Sequence, residues 1–389
     1  MKSEFPTMRL ATLAEIQTGP FGSQLHKEDY VSEGTPIVTV EHLGNKNFTE
    51  QNLPCVSDKD RDRLKKYSLQ EGDIVFSRVG SVDRCSFVSK RYIGWMFSGR
   101  CLRVRPRKML NAEYLYYFFL LESTKQFVRN IATGATMPSI NTKFMGEVPV
   151  AVPPLTVQEK IVDVLRNLDD KIQLNTEINK NLQAQAQAIY THMFIDGADE
   201  SWTQGLLSDI ATITMGQSPK GDTYNETGAG TVFFQGRAEF GFRFPTRRLY
   251  TTEPKRMAKA NDVLLSVRAP VGDLNVAYED CCIGRGLGAI HSNDGHQSFV
   301  LYTMFALRDQ LDVFNGEGTV FGSINRDALN LMPISIPPRN VVDKFEAIVS
   351  PMDAAIRNNY EEICHLQSMR DGLLPHLMSG EIDVSDIDL

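Results

Sequence analysis

The chain has 389 residues, 42% hydrophobic and 23% charged, with a formal net charge of −7; that length and apolar content fit two or three domains with real cores. It holds no apolar run of the roughly 18 residues a membrane span needs, and no apolar leader precedes Leu10, so a cytoplasmic protein is expected. Its six cysteines (Cys55, Cys85, Cys101, Cys281, Cys282, Cys364) show neither CxxC nor Cys/His metal spacing, which reads as free thiols in a reducing compartment and no metal site.

Residues 1–153 form a first module with 21 Lys/Arg against 16 Asp/Glu, a net +5. Local patches, not whole-chain charge, steer a protein to phosphates. Between residues 78 and 108 nine basic residues meet one acid, Asp83. Arg78, Arg84, Lys90, Arg91 and Arg100 are candidate DNA contacts, with Lys27 and Lys46 from loop-like segments. Arginine fits guanine O6 and N7 with two bonds, and basic side chains hold phosphate. In Leu102-Arg103-Val104-Arg105-Pro106-Arg107 the alternation is that of a strand, placing Arg103 and Arg105 on one face. A helix is expected over residues 112–130, burying Tyr114, Leu115, Tyr117, Phe118 and Leu121. The proline-bearing run from Val148 to Pro154 predicts a short edge strand ending in a turn.

Residues 154–198 are acidic and differently patterned. Ile161, Leu165, Leu168, Ile172, Asn175, Asn179, Leu182, Ala186, Ile189 and Met193 recur at steps of four and three, a heptad seam sustained long enough for a coiled coil. Some forty residues at about 1.5 Å each make a rod of about 60 Å. Asparagine in a seam costs stability but fixes register.

Residues 199–338 form the second module. Its segment 237–285 holds nine basic residues and six acids. Candidate DNA contacts here are Gln235, Arg237, Arg243, Arg247, Arg248, Arg268 and Arg285. Phe240, Phe242 and Phe244 interleave with Gly241 and Arg243, either as an aromatic-flanked basic loop or as a strand with one apolar face. His291 and His296 sit in a loop-like stretch, and a helix is expected over residues 297–313. In residues 339–389, adding 184 to the first seam gives Phe345, Val349, Met352, Ile356, Asn359, Ile363, Leu366, Arg370, Leu373 and Leu377, a second seam.

The chain is thus duplicated. Leu13 to Gly19 matches Ile210 to Gly216; Gly72 to Arg78 matches Asn261 to Arg268; Gly134 with Ser139-Ile140-Asn141 matches Gly318 with Ser323-Ile324-Asn325. The offset falls from 197 through 189 to 184 and then holds. Loops tolerate insertion, whereas a packed helix shifted by a residue changes face. A variable module followed by a fixed-length spacer, twice over, is the simplest reading. Matched lengths predict that the spacer helices pack antiparallel on each other within one chain.

These residues carry a resemblance. The run Val152-Pro153-Pro154-Leu155-Thr156-Val157-Gln158-Glu159-Lys160-Ile161, the C-terminal Leu373-Leu374-Pro375-His376-Leu377-Met378-Ser379-Gly380-Glu381-Ile382 and the early Gly19-Pro20-Phe21-Gly22-Ser23-Gln24-Leu25 resemble specificity subunits of type I restriction–modification systems. The second spacer departs from the first, with Val342 in place of Gln158 and Arg370 in the seam. The resemblance implies two similar target-recognition domains of α/β (α+β) type, related by a pseudo-twofold and separated by two long helices. It implies a chain that makes no bond itself. Such a chain binds an asymmetric double-stranded DNA site split into two halves, and docks two methyltransferase (modification) subunits and restriction/translocase subunits. S-adenosylmethionine, ATP and Mg²⁺ are then held by those partners.

The residues agree. No GxxxxGK[ST] loop is present, Gly19-Pro20-Phe21-Gly22-Ser23 lacks the lysine and reads as a turn, and neither Pro153-Pro154 nor Pro337-Pro338 is preceded by the Asn or Asp of a methyltransferase motif. A rigid spacer makes the second half-site contact intramolecular only when the DNA gap matches. Two alternatives remain at this point: the recognition part of a type IIB-like restriction enzyme, and a coiled-coil adaptor with no DNA role.

Overall fold

In each module short β-branched and aromatic runs end at Gly, Asn or Pro turns, and mostly antiparallel sheets result. The computed structural model describes residues 5–134, 136–316 and 322–384. The chain divides into two compact units, Met1–Gln173 with Ile363–Leu389, and Leu174–Glu362.

In the first unit one four-stranded sheet runs in the order Ala14–Thr18, Cys101–Pro106, Ile74–Ser77, Cys85–Phe87. A second is ordered Tyr30–Val31, Cys55–Val56, Thr35–Val38, Met96–Phe97, its last pair parallel. The expected edge strand is Pro149–Ala151, paired with Thr7–Arg9. The expected helix over 112–130 is two helices, Ala112–Leu120 and Glu122–Ile131, because Leu121 turns extended between them. Asn111 caps the first, its Oδ1 accepting from the Glu113 and Tyr114 N–H groups.

The second unit repeats this plan. Its sheets are Ala211–Met215, Leu287–Ser292, Val263–Ser266, Leu274–Val276 and a five-stranded partner from Tyr224–Asn225 to Met257–Ala258. Pro333–Ile336 pairs with Thr203–Leu206. The expected helix over 297–313 is likewise two, Gln297–Ala306 and Arg308–Asp312, broken at Leu307. Phe240, Phe242 and Phe244 lie in no strand: Phe244 is buried and Phe242 is 47% exposed. His291 belongs to the strand Leu287–Ser292, not to a loop.

The offsets read from sequence reappear as hydrogen bonds. Gly72 and Asn261 both take positive φ (85° and 73°) at matching turns; the Gly72 N–H donates to Val88 O and that of Asn261 to Ala277 O. Ile140 N donates to Arg78 O as Ile324 N does to Val267 O. The alignment therefore matches Arg78 to Val267, one residue away from the arginine pairing that the motifs imply.

Spacer helices Leu155–Tyr190 and Arg339–Ser379 each contribute to both units. Within each unit they run antiparallel: Asp169 faces Arg370 in the first, and Asn175 faces Glu362 and Asn179 faces Asn359 in the second. The seam is inward-facing. Ile161, Leu165, Ala186, Phe345, Val349, Ile356 and Leu377 are buried, and Leu168, Ile172, Leu182, Met352, Asn359, Ile363 and Leu366 are half-buried. Seam residues and their helix neighbours also pack onto the modules. Ile161, Val162, Leu165, Leu374 and Leu377 join the first unit's core, and Ala186, Val342, Phe345 and Val349 the second's. Asn175 and Asn359, equivalent in the repeat, are not partners, because an antiparallel pair brings together positions that number in opposite directions. Past Tyr190 the first helix widens into a π-helical turn, Thr191–Asp196.

The two departures between spacers have physical counterparts. Buried Gln158 accepts from Asn111 N (2.7 Å) and donates to Pro153 O (2.8 Å). In the second unit the strand-to-helix corner is tied instead by Gln297, which accepts from Ser292 N (2.9 Å) and donates to Ile290 O (3.2 Å), and Val342 is free to be apolar. Arg370 tolerates its seam position because Asp169 on the facing helix accepts from it at 2.9 Å.

Candidate nucleic-acid interface

The three duplicated motifs converge in each unit. In the first, Gly19 N donates to Cys101 O (3.2 Å), Arg78 N to Arg100 O (2.8 Å), and Gly80 N to Pro138 O (2.8 Å). In the second, Gly216 N donates to Leu287 O (2.9 Å), Val267 N to Gly286 O (2.9 Å), and Ala269 N to Gly322 O (3.0 Å). The glycines are required for closeness: a Cβ on Gly19 would stand 2.1 Å from Ser98 O, and one on Gly216 2.1 Å from Gly284 O. Gly318 of the third motif lies outside the described residues.

Arginines gather at these convergences. In the second unit Arg268, Arg285 and Arg326 line a cavity of about 620 Å³ with Ser323, Asn325 and Met215. All three are exposed, and no ion pair neutralises any of them among the described residues. Gln235 is adjacent through its carbonyl, which accepts from Gly286 N (3.2 Å), and Ser218 Oγ accepts from Arg285 N (3.2 Å). In the first unit Arg78 donates to Gly99 O (2.9 Å) and lies over the Phe21 ring at 5.5 Å; Phe21 is 55% exposed. Arg100 is exposed beside it and, like Arg78, unpaired with any acid among the described residues. Unpaired cations on a concave rim, with amide and hydroxyl groups, are what phosphate and base-edge contacts need.

The remaining sequence candidates lie elsewhere. Arg84 donates to the Leu43 carbonyl. Arg91 pairs with Glu50 over the Tyr92 ring, and Lys90 shares its turn. The Lys27 side chain lies outside the described residues. Arg237 pairs with Asp273, Arg247 with Glu279 (2.6 Å), and Arg248 with Glu239 (2.7 Å) and Glu226 (3.3 Å). Arg243 is withdrawn as a DNA contact: only 5% exposed, it donates to Tyr302 Oη and Asp353 Oδ1, both at 3.1 Å. Lys46 is likewise occupied, 3.2 Å from Glu113 and from Tyr117 Oη. Arg103 is buried and pairs with Glu15, and Arg105, a quarter exposed, pairs with the buried Asp73. Arg326 was not picked out from sequence, although it directly follows the duplicated Ser323-Ile324-Asn325; Phe21, noted only as part of a turn, was also missed as the ring beneath Arg78. Among the described residues no group of His, Cys, Asp and Glu is arranged to hold a metal ion, and no helix is long and apolar enough to cross a membrane.

A family model described as the type I restriction modification DNA specificity domain matches residues 2–184 and again 199–363. The chain belongs to that family. It is 30% identical over 378 residues to the MjaX type I restriction enzyme specificity subunit of Methanocaldococcus jannaschii, covering 90% of this chain and 88% of that one. To the HindI specificity subunit of Haemophilus influenzae it is 27% identical over 411 residues, covering 83% and 89%. Its fold is similar to the crystal structure of a type I restriction–modification S subunit from M. genitalium, with TM-score 0.59, 14% identity and 96% of each chain covered. The chain is a DNA-sequence-recognition subunit of the type I kind, built of two specificity domains joined by long helices. The adaptor reading is set aside. The twofold match also explains why each module carries its own convergence of motifs.

Proposed function

We propose that the chain reads a split, asymmetric double-stranded DNA target, one half per module, and makes no bond itself. It presents the target to modification subunits, two per chain, and to restriction/translocase subunits, which hold S-adenosylmethionine, ATP and Mg²⁺. The observation that carries this reading is the set Arg268, Arg285 and Arg326, unpaired with any acid among the described residues, around one cavity where the duplicated motifs meet. Arg78 and Arg100 are the counterpart in the first unit. Arginines already satisfied by acids are structural. Those with no acid partner among the described residues are held ready for an anion, which repays the cost of keeping like charges together.

The test is salt-dependent binding to long duplex DNA. Removing one phosphate-binding side chain flattens the slope of log K against log salt by about one unit. Arg268→Ala, Arg285→Ala and Arg326→Ala are expected to weaken binding and flatten the slope. Arg248→Ala, whose side chain is paired by Glu239 and Glu226, is expected to leave it unchanged. Equal slopes for all four variants would remove this rim from the interface.

A further inference from the structure

Each unit contains the same three-residue tie between its module and its spacer helix. In the second unit Arg243 donates to Tyr302 Oη (3.1 Å) and Asp353 (3.1 Å), and the Tyr302 hydroxyl donates to Asp353 Oδ1 (2.9 Å). In the first, Lys46 Nζ donates to Tyr117 Oη (3.2 Å) and lies 3.6 Å from Asp169, and the Tyr117 hydroxyl donates to Asp169 Oδ2 (2.6 Å). These are equivalent positions. Asp169 and Asp353 differ by the fixed spacer offset of 184, and each tyrosine is the sixth residue of its module helix. Lys46 and Arg243 differ by the early offset of 197. Their carbonyls accept from matching strand residues, Phe87 N (2.9 Å) and Val276 N (2.8 Å).

The three members come from three different pieces of chain. The cation sits on a loop of the variable module, the tyrosine on the module helix, and the aspartate on the spacer helix. The side chains of Asp169 and Asp353 are 12% and 21% exposed, so each tie is largely shielded from water. Burial pushes both tyrosine hydroxyls above their ordinary value, which keeps them protonated as donors. Duplication has kept the donor–hydroxyl–carboxylate pattern while exchanging lysine for arginine, so the pattern rather than the residue is what matters.

We infer that Lys46–Tyr117–Asp169 and Arg243–Tyr302–Asp353 are positioning residues that fix the angle of each recognition module on its spacer helix and thereby the length of DNA gap the chain accepts. This rests on the proposed reading of a split target. Apolar packing alone lets a module rock on a helix, because dispersion contacts are non-directional. A buried, charge-assisted hydrogen-bond chain is directional and strong. None of the six side chains lies on the arginine rim, so they act on spacing and not on base identity.

The experiment selects bound duplexes from a randomised DNA pool with the full chain, alone and with a type I modification subunit, and sequences them. The wild type is expected to return two half-sites at one gap length. Tyr117→Phe and Tyr302→Phe, which remove only the hydroxyl, are expected to return the same half-sites. The excess of the preferred gap over gaps one base pair longer or shorter falls by about tenfold, the scale of one charge-assisted hydrogen bond. Lys46→Arg and Arg243→Lys, which interchange the two natural forms, are expected to keep the single gap. Only folded molecules select DNA, so the ratio is read from the folded fraction even where a variant melts early. Altered half-sites, or an unchanged gap distribution in the phenylalanine variants, would overturn the inference alone. A wild-type pool with no split motif would overturn the underlying reading as well.

Discussion

The polar layer in the second unit's helix pair offers a measurable perturbation. Asn179, 3% exposed, donates to Ile356 O at 3.2 Å and accepts from Asn359 Nδ2 at 2.8 Å. Replacing Asn359 by alanine removes one amide–amide bond and strands the Asn179 Oδ1 in a dry site. A stranded buried acceptor costs about 1–3 kcal/mol, and here the upper half of that range is expected. Asn179→Ala strands the half-buried Asn359 amide, which water reaches, so about 1–2 kcal/mol is expected. Once Asn359 is gone, Asn179 has only its bond to Ile356 O left to lose. The double alanine variant should therefore cost little more than Asn359→Ala, leaving a coupling of about 1–2 kcal/mol. A double leucine variant should recover most of the loss, since removing both partners of a buried polar pair for apolar packing is often neutral. The assay is urea unfolding. The chain has two tryptophans; Trp202 packs on Phe194 in the second unit, so its fluorescence in a Trp95→Phe background follows that unit. Single losses that add within about 0.5 kcal/mol would refute the pairing.

Two further outcomes follow from burial. Cys85, Cys101 and Cys281 have thiols pushed by burial from the ordinary 9.0 up to about 12. The unfolded chain then releases those protons near 9.0 while the folded one keeps them, so stability present below that pH falls as pH rises toward 12; a flat urea midpoint across the window would contradict it. Gly216→Ala places a Cβ 2.1 Å from a backbone oxygen and should cost at least about 1–3 kcal/mol together with DNA binding, whereas Gly236→Ala, with nothing within 4 Å, should stay within about 0.5 kcal/mol on melting.

The spacers were readable because a heptad is a local pattern that burial enforces at every turn, and because the repeat gave it twice. The module helices were readable for the same reason, except at Leu121 and Leu307, where no proline or glycine marks the breaks. The arginine candidates fared differently, for the partner that decides an arginine's role is remote in sequence. Arg243 finds Asp353 at a separation of 110 residues and Arg237 finds Asp273 at 36. Nothing in their own neighbourhoods distinguishes them from Arg268 or Arg285. Arg103 and Arg105 were placed correctly on one face of a strand, but periodicity says nothing about what covers that face.

The duplication separates framework from reading surface. Positions that build the module agree across the halves: Gly19 with Gly216 at the close approach, Asp73 with Asp262 at the turn, and Tyr117 with Tyr302 and Asp169 with Asp353 at the tie. Asp73 and Asp262 even keep their task while changing partner, accepting from Arg105 in one unit and pairing with His291 (2.5 Å) in the other. Positions on the rim disagree. Phe21 stands where the second unit has Ser218, Arg78 where it has Val267, Gly99 where it has Arg285, and Thr142 where it has Arg326. Packing constrains the first set in both halves alike, so drift there is penalised by stability whatever the DNA sequence. Phe21, Thr142, Arg285 and Arg326 are exposed and bear no such load, so they are free to differ, whereas Val267 is buried in the second unit's core. On the proposed reading, an asymmetric target follows from a duplicated framework whose outward-facing residues have diverged.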